Sequence, residues 1–247
     1  MNNEAAERTE RNTTIRGAIG RRISQNSTRE IQERSGLGDI RSYTEGLPDE
    51  QRRDREIGER ESWEKESERL IDIAKHNGQF FLSGQYGNFG ERVSKRTGEC
   101  MVYKKGDVYT KVKDPCAKQP IKGTRAEDAI YEHVIHNLLF PNVPYTFQGI
   151  SEDLGYMRIV LSQVAVTSFR RPSEQQIGDY LETKLGLKRE DAYSWGNEAY
   201  SITDVGENSD NVLLGVDGQL YFIDPLIKLK ESARTIIENI VKHNSPS

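Results

Sequence analysis

The sequence predicts an α+β fold, on three observations. Aromatic residues are concentrated in one part of the chain: 18 of the 20 lie after position 79, and only Tyr43 and Trp63 precede it. Beyond that point the apolar stretches are short, and turn signals such as Lys105-Gly106-Asp107 and Asp217-Gly218 separate them as hairpins. Helical periodicities interrupt these strands irregularly. The order is three strands, a helix, two strands, a helix, short strands and a last helix, unlike the regular alternation that builds a parallel sheet.

The elements follow in chain order. Residues 1–60 are rich in Arg, Glu, Asn, Ser and Thr, and they lack the apolar surface needed to offset ordering entropy, so a disordered or transiently helical tail is expected. Dense Glu and Arg with Ile57, Trp63, Leu70, Ile71 and Ile73 predict a charged helix over about Asp54–Ala74, docking through Trp63 and the Leu70–Ile73 patch. Strands are expected around Gly84–Lys95, Met101–Lys104 and Asp107–Lys113. Ile130, Val134 and Leu138 have helical spacing within residues 125–139, and Phe140-Pro141 ends that run. Tyr145–Ile150 and Met157–Val166 are the next strands, joined by a Glu-Asp-Leu-Gly turn. Ser173 with Gln176 is a capping-box signature for a helix over 174–186, with Gly186 near its end. Strands at Tyr200–Thr203, Asn211–Val216 and Gln219–Ile223 and a helix over about 230–242 complete the series.

Composition excludes several function classes. Residues 1–70 carry 16 acidic and 14 basic groups and the remainder 23 and 21, so each part nets only −2. With a pI near 5.7, nucleic acid is not the expected partner. No apolar run approaches the roughly 20 residues of a membrane span, and the N-terminus shows no signal-peptide core. Two cysteines, Cys100 and Cys116, are too few for a disulfide framework or a Cys-based zinc site. A cytoplasmic location without membrane partners is expected.

Three features carry chemistry. In Gly84-Gln-Tyr-Gly87-Asn-Phe-Gly90-Glu-Arg-Val93, glycines three apart let backbone N–H groups approach phosphates. Next, Lys111 lies within a strand and precedes a helix bearing Glu132. A strand lysine held by a helix carboxylate is a fixed cation for α- and β-phosphates. Lys113, on the same face, is the competing choice, but the Val-x-x-Lys spacing favours Lys111. The third feature is the stretch from Ile202-Thr-Asp204 through Asn211 to Phe222-Ile-Asp224-Pro225. An Asp on a loop, an Asn entering an apolar strand and an Asp ending the next strand converge at one hairpin end. Phosphoryl transfer needs such a set: a carboxylate for the attacking hydroxyl, and an Asn and an Asp for Mg²⁺. His133 and His136, three apart on a helix, lack a third metal ligand and read as helix polar residues. Trp195 reads as a core or rim aromatic.

In this order the features resemble protein kinases. The 13-residue interval from Asn211 to Asp224 matches the usual kinase spacing, and Phe140-Pro-Asn-Val143 resembles the His-Pro-Asn-Ile turn, which favours Glu132 over Glu127. The stretch from Glu61-Ser-Trp63 through His136-Asn-Leu-Leu-Phe-Pro141, Tyr145, Leu161-Ser-Gln163 and Phe222-Ile-Asp-Pro225 resembles the polyvalent protein kinase domain, found in proteins of phages and conjugative elements, often in Bacteroidetes. The resemblance spans about residues 61–230.

It implies a reduced protein-kinase-like fold: an antiparallel N-lobe sheet plus one helix over about 80–166, and a small truncated C-lobe over about 167–247. It implies ATP and Mg²⁺ as cofactors and a phosphoacceptor, protein rather than small molecule. Gly87, Gly90 and Val93 would cover the phosphates, and Lys111, held by Glu132, would contact them. Gln163 and Val164 would offer backbone to adenine, with Leu161 behind it. Asn211 and Asp224 would bind metal, and Asp204 would orient the acceptor, with Asp210 as the alternative base. Gln85 stands where the first glycine of a Gly-x-Gly-x-x-Gly loop would be. Asp204 precedes Asn211 by seven residues rather than five, no His-Arg precedes it, and no activation segment follows Asp224. Those departures keep two alternatives open: a pseudokinase or interaction module, and a small-molecule kinase. Ser24, after Arg21-Arg22 in the tail, would be an accessible tethered acceptor.

Overall fold

A computed structural model of the chain describes residues 59–94, 100–114, 126, 128–206 and 209–230. Residues 1–58 of the expected tail, and all but the first residue of the expected closing helix, lie outside the described residues. The described part divides into two compact units: one holds residues up to 134 with 144–165, the other 135–143 with 166–230.

The first unit opens with α1 (Glu59–His76). Leu70, Ile71 and Ala74 recur at helical spacing and are buried, and this face packs on β1 (Phe80–Leu82) and β5 (Thr146–Asp153). Between those strands come a 3₁₀ helix (Ser83–Phe89), β2 (Glu91–Arg92), β3 (Cys100–Lys105), β4 (Val108–Lys113) and α2 (Asp128–Leu139). Strand β6 (Tyr156–Val164) completes a six-stranded sheet in the order β1-β5-β6-β4-β3-β2. Five of its strands pair antiparallel as expected; β1 adds to the edge parallel to β5. In β5 a register shift falls between Phe147 and Gly149, where φ is +147° and the Gln79 carbonyl sits where a Cβ would be. Only glycine permits that approach.

One element differs from its expectation. The segment Gly84–Lys95, read as a strand, is mostly the 3₁₀ helix, with two residues of strand after it. A strand would send Tyr86 and Phe89 to opposite faces, since side chains alternate. At three residues per turn they share a face. Both rings lie 6.0 Å from Tyr103, and Phe81 meets Phe89 edge-on at 5.3 Å. Gln85 helps start the turn, its Oε1 accepting from the Leu82 N–H at 2.7 Å. Tyr86 is buried and hydrogen-bonds Ser151 at 2.7 Å. Burial pushes its phenol above the ordinary value, and the Ser151 bond partly opposes this.

The second unit begins with residues 135–143, the last turns of α2 and the turn after it. It continues with β7 (Ser168–Arg170), α3 (Glu174–Leu185), β8 (Lys188–Arg189), β9 (Ser194–Gly196), β10 (Tyr200–Thr203), β11 (Val212–Gly215), β12 (Leu220–Phe222) and β13 (Leu226–Leu229). The capping box is present: Gln176 N–H bonds Ser173 Oγ at 3.3 Å, and Ser173 N–H bonds Gln176 Oε1 at 3.0 Å. Gly186 closes α3 in the left-handed conformation, and Ile177, Leu181 and Leu185 form its buried face. Trp195 is a rim aromatic, half-buried under the Arg189 guanidinium at 5.7 Å.

Two small sheets result, β13-β10-β9-β8 and β12-β11-β7. The Asp217-Gly218 turn joins β11 to β12 as expected, with Asp217 Oδ1 accepting from Gln219 N–H at 3.0 Å. Strands β1, β7, β8, β9 and β13 were not expected. They are two to four residues long, too short to show a period. Among the described residues no helix is long and apolar enough to cross a membrane.

Candidate active site

Each unit brings together its own set of the residues singled out above. In the first, Lys111 sits in the middle of β4, paired with Val102 on β3 and Leu161 on β6, and is 6% exposed. Its Nζ donates to Tyr145 Oη at 3.0 Å and lies 4.9 Å from the centre of that ring. His133 meets the same ring edge-on at 5.4 Å, so it supports the tyrosine. Lys113, two positions on, is only half-buried, and Glu132 is half-buried on α2. A lysine held among strands by a phenol is a cation of fixed position, whereas a surface lysine is not. Tyr145 was legible only as part of a family motif; no spacing rule points a tyrosine 34 residues away at a lysine.

At the edge of the same sheet, Gly87 is exposed at the 3₁₀ helix and Gly90 follows it at φ +107°. A Cβ on Gly90 would fall on the Lys104 carbonyl, whereas one on Gly87 meets nothing within 4 Å. Gly90→Ala is therefore expected to destabilise the protein by at least about 1–2 kcal/mol through its backbone strain alone. Gly87→Ala should stay within about 0.5 kcal/mol. Urea denaturation of the two variants checks the contrast. Val93 is exposed and its N–H bonds the Val102 carbonyl at 2.8 Å. On β6, Gln163 is buried opposite Tyr109, and Val164 is exposed opposite Val108.

The second unit holds the acidic set. Strand β10 ends at Thr203, and Asp204 turns into the left-handed region at φ +59°, uncommon for a residue with a side chain. Hydrogen bonds hold it there. Asn211 Nδ2 donates to Asp204 Oδ2 at 2.6 Å and to its carbonyl at 3.1 Å. Ser209 Oγ donates to the same carbonyl at 2.8 Å and accepts from Asn211 N–H at 3.1 Å. Ser209 thus ties together the two ends of the seven-residue interval. Its role had no sequence signal beyond being a serine in a turn. Asp210 points elsewhere and forms an ion pair with Arg171.

Asp224 is half-buried in the bend that follows β12. The preceding residue anchors it: Ile223 N–H donates to the Asn211 carbonyl at 2.7 Å, so the backbones carrying Asn211 and Asp224 are joined. His136, also in this unit, donates from Nε2 to the Phe222 carbonyl at 2.8 Å. The two histidines thus serve an aromatic ring and a strand carbonyl. Among the described residues no group of three or more His, Cys, Asp or Glu could hold a metal.

Asn211 and Asp224, the residues singled out for a metal, would offer it an amide oxygen and a carboxylate. Asn211 uses its Nδ2 on Asp204, which leaves Oδ1. Hard oxygen donors, only one or two from the protein, suit Mg²⁺, which takes the rest of its shell from water and substrate phosphates. The residues fit the ion.

An α+β fold carrying a buried strand lysine, a helix glutamate, an Asp–Asn loop and a strand-ending Asp defines a kinase-like phosphotransferase class. The family described as Serine/Threonine/Tyrosine Kinase found in polyvalent proteins matches residues 63–231, more than half of the chain, and the chain belongs to that family. No curated protein and no solved structure matches it. A kinase family works in general with a nucleotide, a divalent metal and a phosphoacceptor.

Proposed function

We propose that the protein transfers the γ-phosphoryl group of ATP, with Mg²⁺, to a hydroxyl of a protein acceptor. The observation that carries this reading is the Asp204–Asn211 pair, bonded at 2.6 Å with Asp204 in a strained conformation. Strain persists where surrounding bonds over-determine it, and such residues cluster at functional sites.

Asp204 is exposed, and with Oδ2 engaged by Asn211 its Oδ1 is the oxygen left to accept from an incoming hydroxyl. The acceptor oxygen bonds to the γ-phosphorus as the bond to the β–γ bridging oxygen breaks; the hydroxyl proton passes to Asp204 and ADP leaves. Lys111, placed by Tyr145 and assisted by Glu132, supplies a fixed positive charge for the α- and β-phosphates. Gly87, Gly90 and Val93 cover the phosphates, and the backbone of Gln163 and Val164 takes the adenine. Asn211 and Asp224 are the residues that would hold Mg²⁺, which when bound neutralises charge on the phosphates. In this reading the protein serves a mobile genetic element in the host cytoplasm.

A second reading has one observation in its favour. Gln85 stands where the first glycine of the phosphate loop would be, and its side chain is engaged by the Leu82 N–H, as it would be in a nucleotide-binding module that does not transfer phosphate. Thermal shift and labelled transfer together decide. Millimolar Mg·ATP should raise the melting temperature by several degrees, because ligand at 100 times its Kd adds about 2.7 kcal/mol. Lys111→Met, which keeps the stem and removes the charge, should lose that shift. An unchanged melting temperature for the wild type would overturn nucleotide binding. A shift without transfer from γ-labelled ATP to any protein would favour the second reading.

A further inference from the structure

Strand β12 leads directly to Asp224 and lies at the edge of the sheet β12-β11-β7. Its inner edge is paired: Tyr221 stands opposite Leu213, the Gln219 carbonyl accepts from Gly215 N–H, and Ile223 N–H donates to the Asn211 carbonyl. In an antiparallel strand the carbonyls of the intervening residues, Leu220 and Phe222, turn to the outer edge. Both are met by side chains of one short segment. Asn142 Nδ2 donates to the Leu220 carbonyl at 3.1 Å, and His136 donates to the Phe222 carbonyl at 2.8 Å. A carbonyl oxygen only accepts, so His136 Nε2 carries the hydrogen. The His136 ring is 2% exposed, and burying a polar ring is costly unless it is hydrogen-bonded.

We infer that His136 and Asn142 are positioning residues for Asp224, resting on the phosphotransferase reading. They bond carbonyls two residues apart, a pattern that only one register of β12 satisfies. A slip of one residue would turn those carbonyls toward β11 and carry Asp224 to the opposite face. A metal ligand has to be held within about 0.5 Å of its working place. The last clamped residue, Phe222, is two positions before Asp224. The same strand pairing fixes Asn211, so the clamp holds both proposed metal ligands in one register.

The test measures metal binding directly, by Mn²⁺ electron paramagnetic resonance titration of the full chain with a non-hydrolysable ATP analogue. His136→Leu keeps a similar apolar bulk and removes the donor; Mn²⁺ affinity should fall about 10–100-fold, the usual cost of losing an outer hydrogen bond behind a metal ligand. His136→Gln restores an N–H and should recover most of the loss. Asn142→Ala, at an exposed position that leaves no buried cavity, should also weaken Mn²⁺ while the melting temperature holds. If His136→Leu does not fold, Asn142→Ala decides the matter. Unchanged Mn²⁺ affinity in Asn142→Ala, or in a folded His136→Leu, overturns the assignment. So does a His136→Gln variant as weak as His136→Leu, which would mean the ring serves packing alone. A wild type that binds no Mn²⁺ with the analogue overturns the phosphotransferase reading itself and this assignment with it, and the wild-type titration distinguishes that outcome from the others.

Discussion

Asp224→Ala is expected to reduce phosphoryl transfer by about 10³-fold or more while leaving the fold intact. A metal that neutralises phosphate charge contributes several kcal/mol to the transition state, and each 1.4 kcal/mol is a factor of ten. Asp224 is the only carboxylate assigned to the metal, and Asn211 alone offers a single neutral oxygen. The side chain is half-buried in a bend rather than packed in a core, so its removal should move the melting temperature little. Initial rates with γ-labelled ATP and varied Mg²⁺ check the expectation, with denaturation run alongside. Transfer retained within tenfold in a folded Asp224→Ala variant would remove Asp224 from the metal site. Asp210→Ala should behave differently, because that carboxylate is exposed and engaged with Arg171, and a surface ion pair contributes at most about 1 kcal/mol.

Phe222→Ala should have the largest effect on stability, a loss of about 3–5 kcal/mol. The side chain is fully buried, stacked on Phe140 with ring centres 4.4 Å apart and planes at 16°, and it meets Tyr180 at 5.2 Å. Truncation would leave a cavity lined by two aromatic rings that cannot close over it. Against a total stability of about 5–15 kcal/mol for a domain, that loss is a large share. Urea denaturation of Phe222→Ala and Phe222→Leu checks it, with leucine expected to cost less because it fills more of the space. A loss under about 1 kcal/mol in the alanine variant would mean that the Phe140–Phe222 stack is not a core contact. The variant also separates packing from polar clamping, since the Phe222 carbonyl stays available to His136 when the ring is removed.

Wherever one short signal forces one local geometry, the sequence could be read. Ser173 and Gln176 announced the start of α3 because hydroxyl and amide reach back to each other's backbone within one turn. Asp217-Gly218 announced the β11–β12 hairpin for a similarly local reason. The order of glycine, lysine, glutamate, Asp–Asn and strand-ending Asp led to the family, since order along a chain is itself a sequence property. The reading of Gly84–Lys95 failed because the choice between strand and 3₁₀ helix there rests on a distant partner. Tyr86 and Phe89 need a common face only because Tyr103 is there to receive them.

By itself, then, the sequence determined the class of fold, the family, and the residue types capable of phosphoryl chemistry. The tertiary structure alone decided which groups hold those residues in place: Tyr145 on Lys111, Ser209 between Asp204 and Asn211, and His136 and Asn142 on the outer edge of β12. The physical reason is range. Caps, turns and periodicities act over four or five residues, and composition carries their signature. A hydrogen bond across 34 or 86 residues forms only once the chain has closed, and neither partner's neighbours in sequence encode it.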